Sequence, residues 1–310
     1  MLDSLLRLVT DELVVVVTPH NGCDIVSLVD RRTGVDVLWK SPWGRHVAAA
    51  GGYAGNSSDY WLRRLRGGWN LLLPHAGAER TRDGALVPFH GEAGTAYWTV
   101  EHQTTTEARL STTLLTAPLT VRRQLEVQGD TLWVIDAVVN DSPDAVSISW
   151  GHHPTFGPPL IAAQARLEID ARVVVLDADM HPTGGLGDRP THEESRWPII
   201  SDVDLSVVPT APRAMLAYLS ELTEGKYRII NDQLNLGVEL TWPLEVFSHV
   251  WLWQELQGST GYPWFRRAYA MAVEPQSTAP QGGEPTILLA GYEERTTQVT
   301  ARVFAPSAHF

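Results

Sequence analysis

Hydrophobic and polar residues alternate with a period of two along most of the chain, the spacing that sends successive side chains to opposite faces of a strand. Leu13 to Val17 reads as a strand ended by Pro19, Asn21 and Gly22. Asp24 to Val29 and Val35 to Trp39 read as a hairpin around Asp30-Arg31-Arg32-Thr33-Gly34. The middle of the chain repeats the arrangement: Thr95 to Val100, Ala108 to Leu115, Leu119 to Val127, Thr131 to Asn140 and Ala145 to Trp150 are β-rich runs. Ala117-Pro118, Gly129-Asp130 and Asp141-Ser142-Pro143-Asp144 separate them as turns. Short strands at this spacing predict an all-β fold, a sandwich or a barrel.

Helical pattern is confined to the amino-terminal stretch and to Ser57–Arg66, SSDYWLRRLR, where Ser57 or Ser58 would be the N-cap. The 20 prolines and 25 glycines are dispersed, with no linker-like cluster, so residues 1–310 are expected to form one domain. Asp177 to Trp197, built around HPTGGLGDRPTHEE, follows neither periodicity. It is expected to be a long surface loop, and such loops in compact domains often carry function.

Composition then narrows the classes. Hydrophobic residues make up 44% and charged ones 19%, a globular balance rather than a disordered one. A net charge of -12 repels nucleic acid and anionic membrane surfaces but leaves a small neutral ligand compatible. The opening MLDSLLRLVTDELVVVV is interrupted by Asp3, Arg7, Asp11 and Glu12, which argues against a signal peptide or membrane span. Cys23 is the only cysteine and can close no internal disulfide, so a cytoplasmic location is expected. Several of the twelve tryptophans adjoin glycine, proline or histidine. They serve either core packing or stacking on the apolar faces of sugar rings.

Three stretches concentrate polar groups beside turn residues: GGWNLLLPHAGAERTRDGALVPFHGEAGTAYW, WGHHPTFG and VWLWQELQGSTGYPWFRRAYAMAVEPQST. In the third, the apolar run Ala268–Val273 leads to Glu274, and Pro275 is expected to end the strand. A carboxylate so placed is either a desolvated general base or an acceptor for backbone donors at a strand end. In the second, alternation puts His152 and His153 on opposite sides of a sheet, and Pro154 is expected to stop the strand at a mouth. One imidazole at most then faces a given cleft, where it could donate a proton near neutral pH. Nucleotide-binding glycine loops, a Gly-x-Ser-x-Gly elbow and His-Glu-x-x-His are all missing, so no cofactor or metal is expected.

These stretches resemble the aldose 1-epimerase (mutarotase) family and its galactose mutarotase-like relatives, in order and over most of the chain. GCDIVSLVDRRTGVDVLW resembles the family's Gly-x-x-(Ile/Val)-x-Ser-Leu…Gly-x-x-x-Leu-Trp element, and GGWNLLLPHAG its Gly-Gly-Trp…Phe-Pro-x-x-Gly segment. FHGE resembles the His-Gly motif, GHHPTF the Gly-x-His-Pro-x-Phe motif, and AVEP the closing Glu-Pro motif. The resemblance implies a large antiparallel β-sandwich, the galactose mutarotase-like supersandwich, that interconverts the α and β anomers of an aldose without a cofactor. Carried over motif by motif, it implies His153 as general acid at the ring oxygen, Glu274 as general base at the anomeric hydroxyl and His90 as the supporting histidine. His90-Gly91-Glu92-Ala93-Gly94 departs from the His-Gly-Phe-Ala-Arg of members acting on hexose 6-phosphates, which weakens a phosphosugar assignment. Glu92 resembles instead a His-Gly-Glu branch, and Arg80 or Arg82 could replace the arginine of galactose-type members. Trp253 and Gln254 lead the further candidates for sugar contact, followed by Asn70, His75 and Glu255. The alternative, from a different class, is a non-catalytic carbohydrate-binding or sugar-sensing protein on the same sandwich.

Overall fold

The computed structural model describes residues 5–43, 55–82, 84–187, 189–278 and 286–306. Two antiparallel sheets face each other across one apolar core. The eight-stranded sheet runs Arg166–Ile169, Lys226–Asn231, Leu236–Thr241, Glu294–Phe304, Thr131–Asn140, Leu119–Gln128, Glu107–Thr113 and Thr99–Gln103. Its long strands alternate strictly: Val134 and Val138 are buried against the other sheet, whereas Trp133 and Ile135 on the opposite face are not. That is the pattern of a sheet packed on one face and wetted on the other.

The larger sheet has eleven strands, and the order of its middle matters most: Asp24–Asp30, Trp69–Leu72, Gly151–Phe156, Tyr269–Gln276, His249–Leu256, Arg213–Ser220 and Val173–Leu176. Every residue of Gly151–Phe156 is buried, because the eight-stranded sheet covers one face and the Ser57–Arg64 helix with its neighbouring loops covers the other. The helix starts at Asn56, whose side chain accepts from the Asp59 N–H, so the cap lies one residue before Ser57.

Four expectations change. The amino-terminal segment is a strand, Leu6–Val9, rather than a helix, because Leu6 and Leu8 face the core while Arg7 faces out, in register with Leu13–Thr18. The expected strand at Thr95 begins only at Thr99, since Gly94–Thr95 turn and the Trp98 N–H is taken by the Pro19 carbonyl. Pro154 and Pro275 do not end their strands but lie inside them. Gly151 pairs with Gln276 and Thr155 with Ala272, and the ladder is open between them. Both prolines fall in that open stretch, so neither missing N–H costs a ladder bond there. The Asp177–Trp197 segment is largely irregular, as expected, with one short strand at Ser195–Arg196. Among the described residues no helix is long and apolar enough to cross a membrane.

Candidate active site

The register between Gly151–Phe156 and Tyr269–Gln276 sets His153 directly opposite Glu274, and opposed residues of an antiparallel pair project from the same face. His153 Nε2 lies 3.3 Å from Glu274 Oε1. The other imidazole nitrogen, Nδ1, is 3.0 Å from the Thr155 hydroxyl. On the far side of the carboxylate, the Gln276 amide donates to Glu274 Oε2 at 3.1 Å. Gly151 makes room for that amide: a Cβ there would stand 1.8 Å from Gln276 Oε1. Each oxygen of the carboxylate is thus assigned, one to the amide and one to the imidazole.

His90 completes the group from the opposite flank. Its ring centroid lies 5.8 Å from that of His153, and its Nδ1 accepts from the Gly77 N–H at 3.1 Å. His90 has a left-handed φ of 62°, and Gly91 follows at φ 79° with no space for a side chain, since a Cβ would meet the Leu73 carbonyl at 2.3 Å. The His-Gly pair is therefore a tight turn pressed against the end of Trp69–Leu72.

Tryptophans wall the cleft. Trp61 of the helix stands 4.9 Å from the His90 ring and 5.9 Å from His153, and Trp253 stands 6.4 Å from His153 with Trp264 a further 5.1 Å on. The cavity so enclosed has a volume of about 410 Å³, within the span of about 300–1,000 Å³ usual for small-molecule sites. At its far end lies a pair that inspection of the sequence did not single out. The Tyr218 hydroxyl donates to Asp177 Oδ2 at 2.5 Å, and Asp177 Oδ1 accepts from the N–H groups of Asp179 and Met180. Next to them the buried Trp251 indole N–H has no partner among the described residues. The signal for Asp177 was its place at the start of the long irregular segment, but nothing local tied it to histidines on distant strands.

Burial sets the protonation of the group. It pushes Glu274 well above the ordinary carboxylate range, against the smaller opposing pull of the Gln276 amide. It lowers His153 to about 4 and holds His90 well below its ordinary value, with the neighbouring His153 and His75 adding to the effect. Burial thus favours the uncharged form of the pair, a carboxylic acid beside a neutral imidazole. Moving one proton from Oε1 to Nε2 converts it to carboxylate and imidazolium at constant net charge.

The other candidates fall in several places. Trp253 lines the cleft. Gln254 does not: it projects from the opposite face of His249–Leu256, where its carbonyl accepts from Arg213 Nε at 2.7 Å. Glu92 is spent on the turn after Glu107–Thr113, accepting from the Leu115 and Thr116 N–H groups and the Thr116 hydroxyl. Asn70 shares a face with His153 but is hydrogen-bonded to the buried Asp24. His75 donates from Nε2 to the Ala78 carbonyl at 2.7 Å and so shapes the loop whose Gly77 holds His90. Arg80 and Arg82 line a separate groove on the outer side of His75. His152 faces the core, accepting from the Trp69 indole at 3.2 Å. Among the described residues no three His, Cys, Asp or Glu side chains converge as a metal-binding group.

Comparison with known proteins agrees with this architecture. A galactose mutarotase related enzyme from Lactobacillus acidophilus superposes with a TM-score of 0.68 at 16% identity, over 98% of this chain and 99% of that one. A galactose mutarotase-like protein from Clostridium acetobutylicum gives 0.67 at 15% identity, over 97% and 95%. The Slr1438 protein of Synechocystis sp. PCC 6803 gives 0.71 at 17% identity, over 98% and 96%. At these identities the likeness establishes the fold, a galactose mutarotase-like β-sandwich. No curated protein matches the sequence. The sequence model of a family described as a domain of unknown function, DUF4432, matches residues 4–286. The chain belongs to that family.

Proposed function

We propose that the protein is an aldose 1-epimerase that interconverts the α and β anomers of a sugar held in the tryptophan-walled cleft. The observation that carries this reading is the pairing of His153 and Glu274, opposed in register and 3.3 Å apart at the cleft wall, with His90 on the other flank.

The chemistry follows from the two protonation states of the pair. With the sugar bound, the Glu274 carboxylate removes the proton of the anomeric hydroxyl while the His153 imidazolium delivers one to the ring oxygen. The bond between carbon 1 and the ring oxygen breaks, the carbonyl forms, and the pair is left as carboxylic acid and neutral imidazole. That uncharged state is the one burial favours, so ring opening is assisted by the return of two charges to neutrality. Rotation of the aldehyde and closure with the proton transfers reversed give the other anomer. His90, whose Nδ1 is occupied by Gly77, offers Nε2 to the ring oxygen. Asp177 and Tyr218 supply polar groups for hydroxyls farther round the ring, and Trp253 and Trp61 supply stacking faces.

Polarimetry on freshly dissolved α-anomers tests the reading. Wild type is expected to accelerate the change in rotation, and His153→Ala and Glu274→Gln to lose roughly 100- to 10,000-fold each. Binding of the sugar without any acceleration would establish the carbohydrate-binding alternative instead.

A further inference from the structure

The strand order gives the cleft a polarity from one end to the other. Trp69–Leu72, Gly151–Phe156, Tyr269–Gln276, His249–Leu256, Arg213–Ser220 and Val173–Leu176 lie side by side in that sequence. Glu274 is therefore on one flank of His153, and beyond it come Trp251, Tyr218 and Asp177. His90 is on the other flank, where Phe89 lies 3.8 Å and Trp61 4.9 Å from its ring. Leu62 of the helix and Leu65 at its C-cap complete that end. One pole is rich in carboxylate and hydroxyl, and the other presents carbon apart from the His90 imidazole, whose Nε2 is turned to the ring oxygen in the proposed reaction.

A pyranose laid across this gradient has a direction fixed by the epimerase reading, and the substrate class inferred from that direction rests on the same reading. The ring oxygen of the sugar joins carbon 1 to carbon 5. With Glu274 at the hydroxyl of carbon 1 and His153 at the ring oxygen, carbon 5 lies away from Glu274, toward His90, Phe89 and Trp61. Carbons 2 and 3 then extend toward Asp177 and Tyr218.

We propose that the cleft selects an uncharged aldose whose carbon 5 carries hydrogen or a methyl group, a pentopyranose or a 6-deoxyhexose. A methyl group there buries against Phe89, Trp61 and Leu62. A hydroxymethyl group gives up its water for a wall of carbon, and an unpaired buried hydroxyl is costly. A carboxylate or phosphate meets a worse site. No lysine or arginine lines the cleft among the described residues, and the carboxyl groups of Asp177, Asp179 and Glu274 do. Arg80 and Arg82, the cations nearest in sequence to the His-Gly turn, are in the groove beyond His75.

The test is a matched series in the galacto and gluco configurations: the 6-deoxyhexose, its parent hexose, the hexuronate and the hexose 6-phosphate, with D-xylose and L-arabinose added. Catalysed anomer exchange is expected to give the 6-deoxyhexose a kcat/KM about tenfold above its parent, with the charged members not accelerated. Turnover of a uronate or phosphate at a rate matching the neutral sugars, or a parent hexose equal to or better than its 6-deoxy form, overturns the substrate class while leaving the epimerase reading intact. If no sugar is accelerated, the epimerase reading fails, and quenching of tryptophan fluorescence by the same series still reads the class. Tightest binding by the 6-deoxyhexose or pentose then sustains it. Tighter binding by a charged member, or no binding by any member, overturns it.

Discussion

Glu274 is held by two neighbours with opposite effects on its proton: burial favours the acid, and the Gln276 amide favours the carboxylate. In the proposed mechanism the 3.3 Å contact lets His153 and Glu274 share one proton, and activity requires it. A second proton adds to the imidazole on the acid side, and loss of the shared proton ends activity on the alkaline side. The pH profile of kcat is therefore expected to have an acid limb near 4 and an alkaline limb well above the usual carboxylate range. Gln276→Leu removes the donor to Oε2. It is expected to lower kcat roughly tenfold and to move the alkaline limb to higher pH, since a bond to the charged form is lost. A kcat profile that stays in place would assign Gln276 to packing alone. At this scale the sequence was informative where alternation could be applied. It separates His152 from His153, and the structure puts the first in the core and the second in the cleft. The same alternation forbids Trp253 and Gln254 from sharing a face, and Gln254 is the one turned inward.

Strands explain why the histidine and glutamate meet. Two prolines, each a strand breaker in isolation, lie in the open part of a single ladder. A proline tolerated inside a strand depends on which neighbouring strand lacks a partner at that point, which no local pattern reveals. The strands Thr131–Asn140 and Leu119–Gln128, by contrast, lie within a residue of their expected bounds, because one-sided burial writes itself into the alternation. Gly151 belongs to the histidine strand but is fixed by the glutamate strand through Gln276. Gly151→Ala is expected to displace the Gln276 amide and cost about 1–3 kcal/mol in urea unfolding, with loss of activity beyond that expected from stability. Full activity in this variant would show that the amide is free to move without consequence for Glu274.

Across the whole molecule, a buried polar network ties the two sheets together. Arg123 of the eight-stranded sheet makes two bonds of 2.7 Å to Asp136 and a third to the Cys23 carbonyl of the facing sheet, and His152 lies 3.7 Å from Asp136. Beside it Asp24 is fully buried, and burial raises it to about 7. Its folded value exceeds its unfolded one, so the folded state keeps a proton that the unfolded state gives up, and stability declines as pH rises from about 4 to 7. Asp24→Asn is expected to stabilise the protein by about 1–2 kcal/mol at pH 8 and much less at pH 4. His75, His152 and His153 act in the other direction: each is lowered to about 4, so their contribution is lost as pH falls from 6.5 toward 4. Thermal unfolding of wild type and variant across that range separates the two effects. None of this network could be assembled from the sequence, since Asp24, Arg123, Asp136 and His152 come from four strands whose pairing is decided by the core as a whole.

Exchange spectroscopy by NMR on the anomeric protons of a 6-deoxyhexose tests the central claim most directly, because it reads interconversion of the two anomers at equilibrium. With wild-type protein near pH 7, cross-peaks between the α and β signals are expected to appear at a rate proportional to protein concentration, and to vanish with Glu274→Gln and with His153→Ala. Exchange that is no faster than in buffer, or equally fast with both variants, would contradict the assignment of His153 and Glu274 as an acid and base pair.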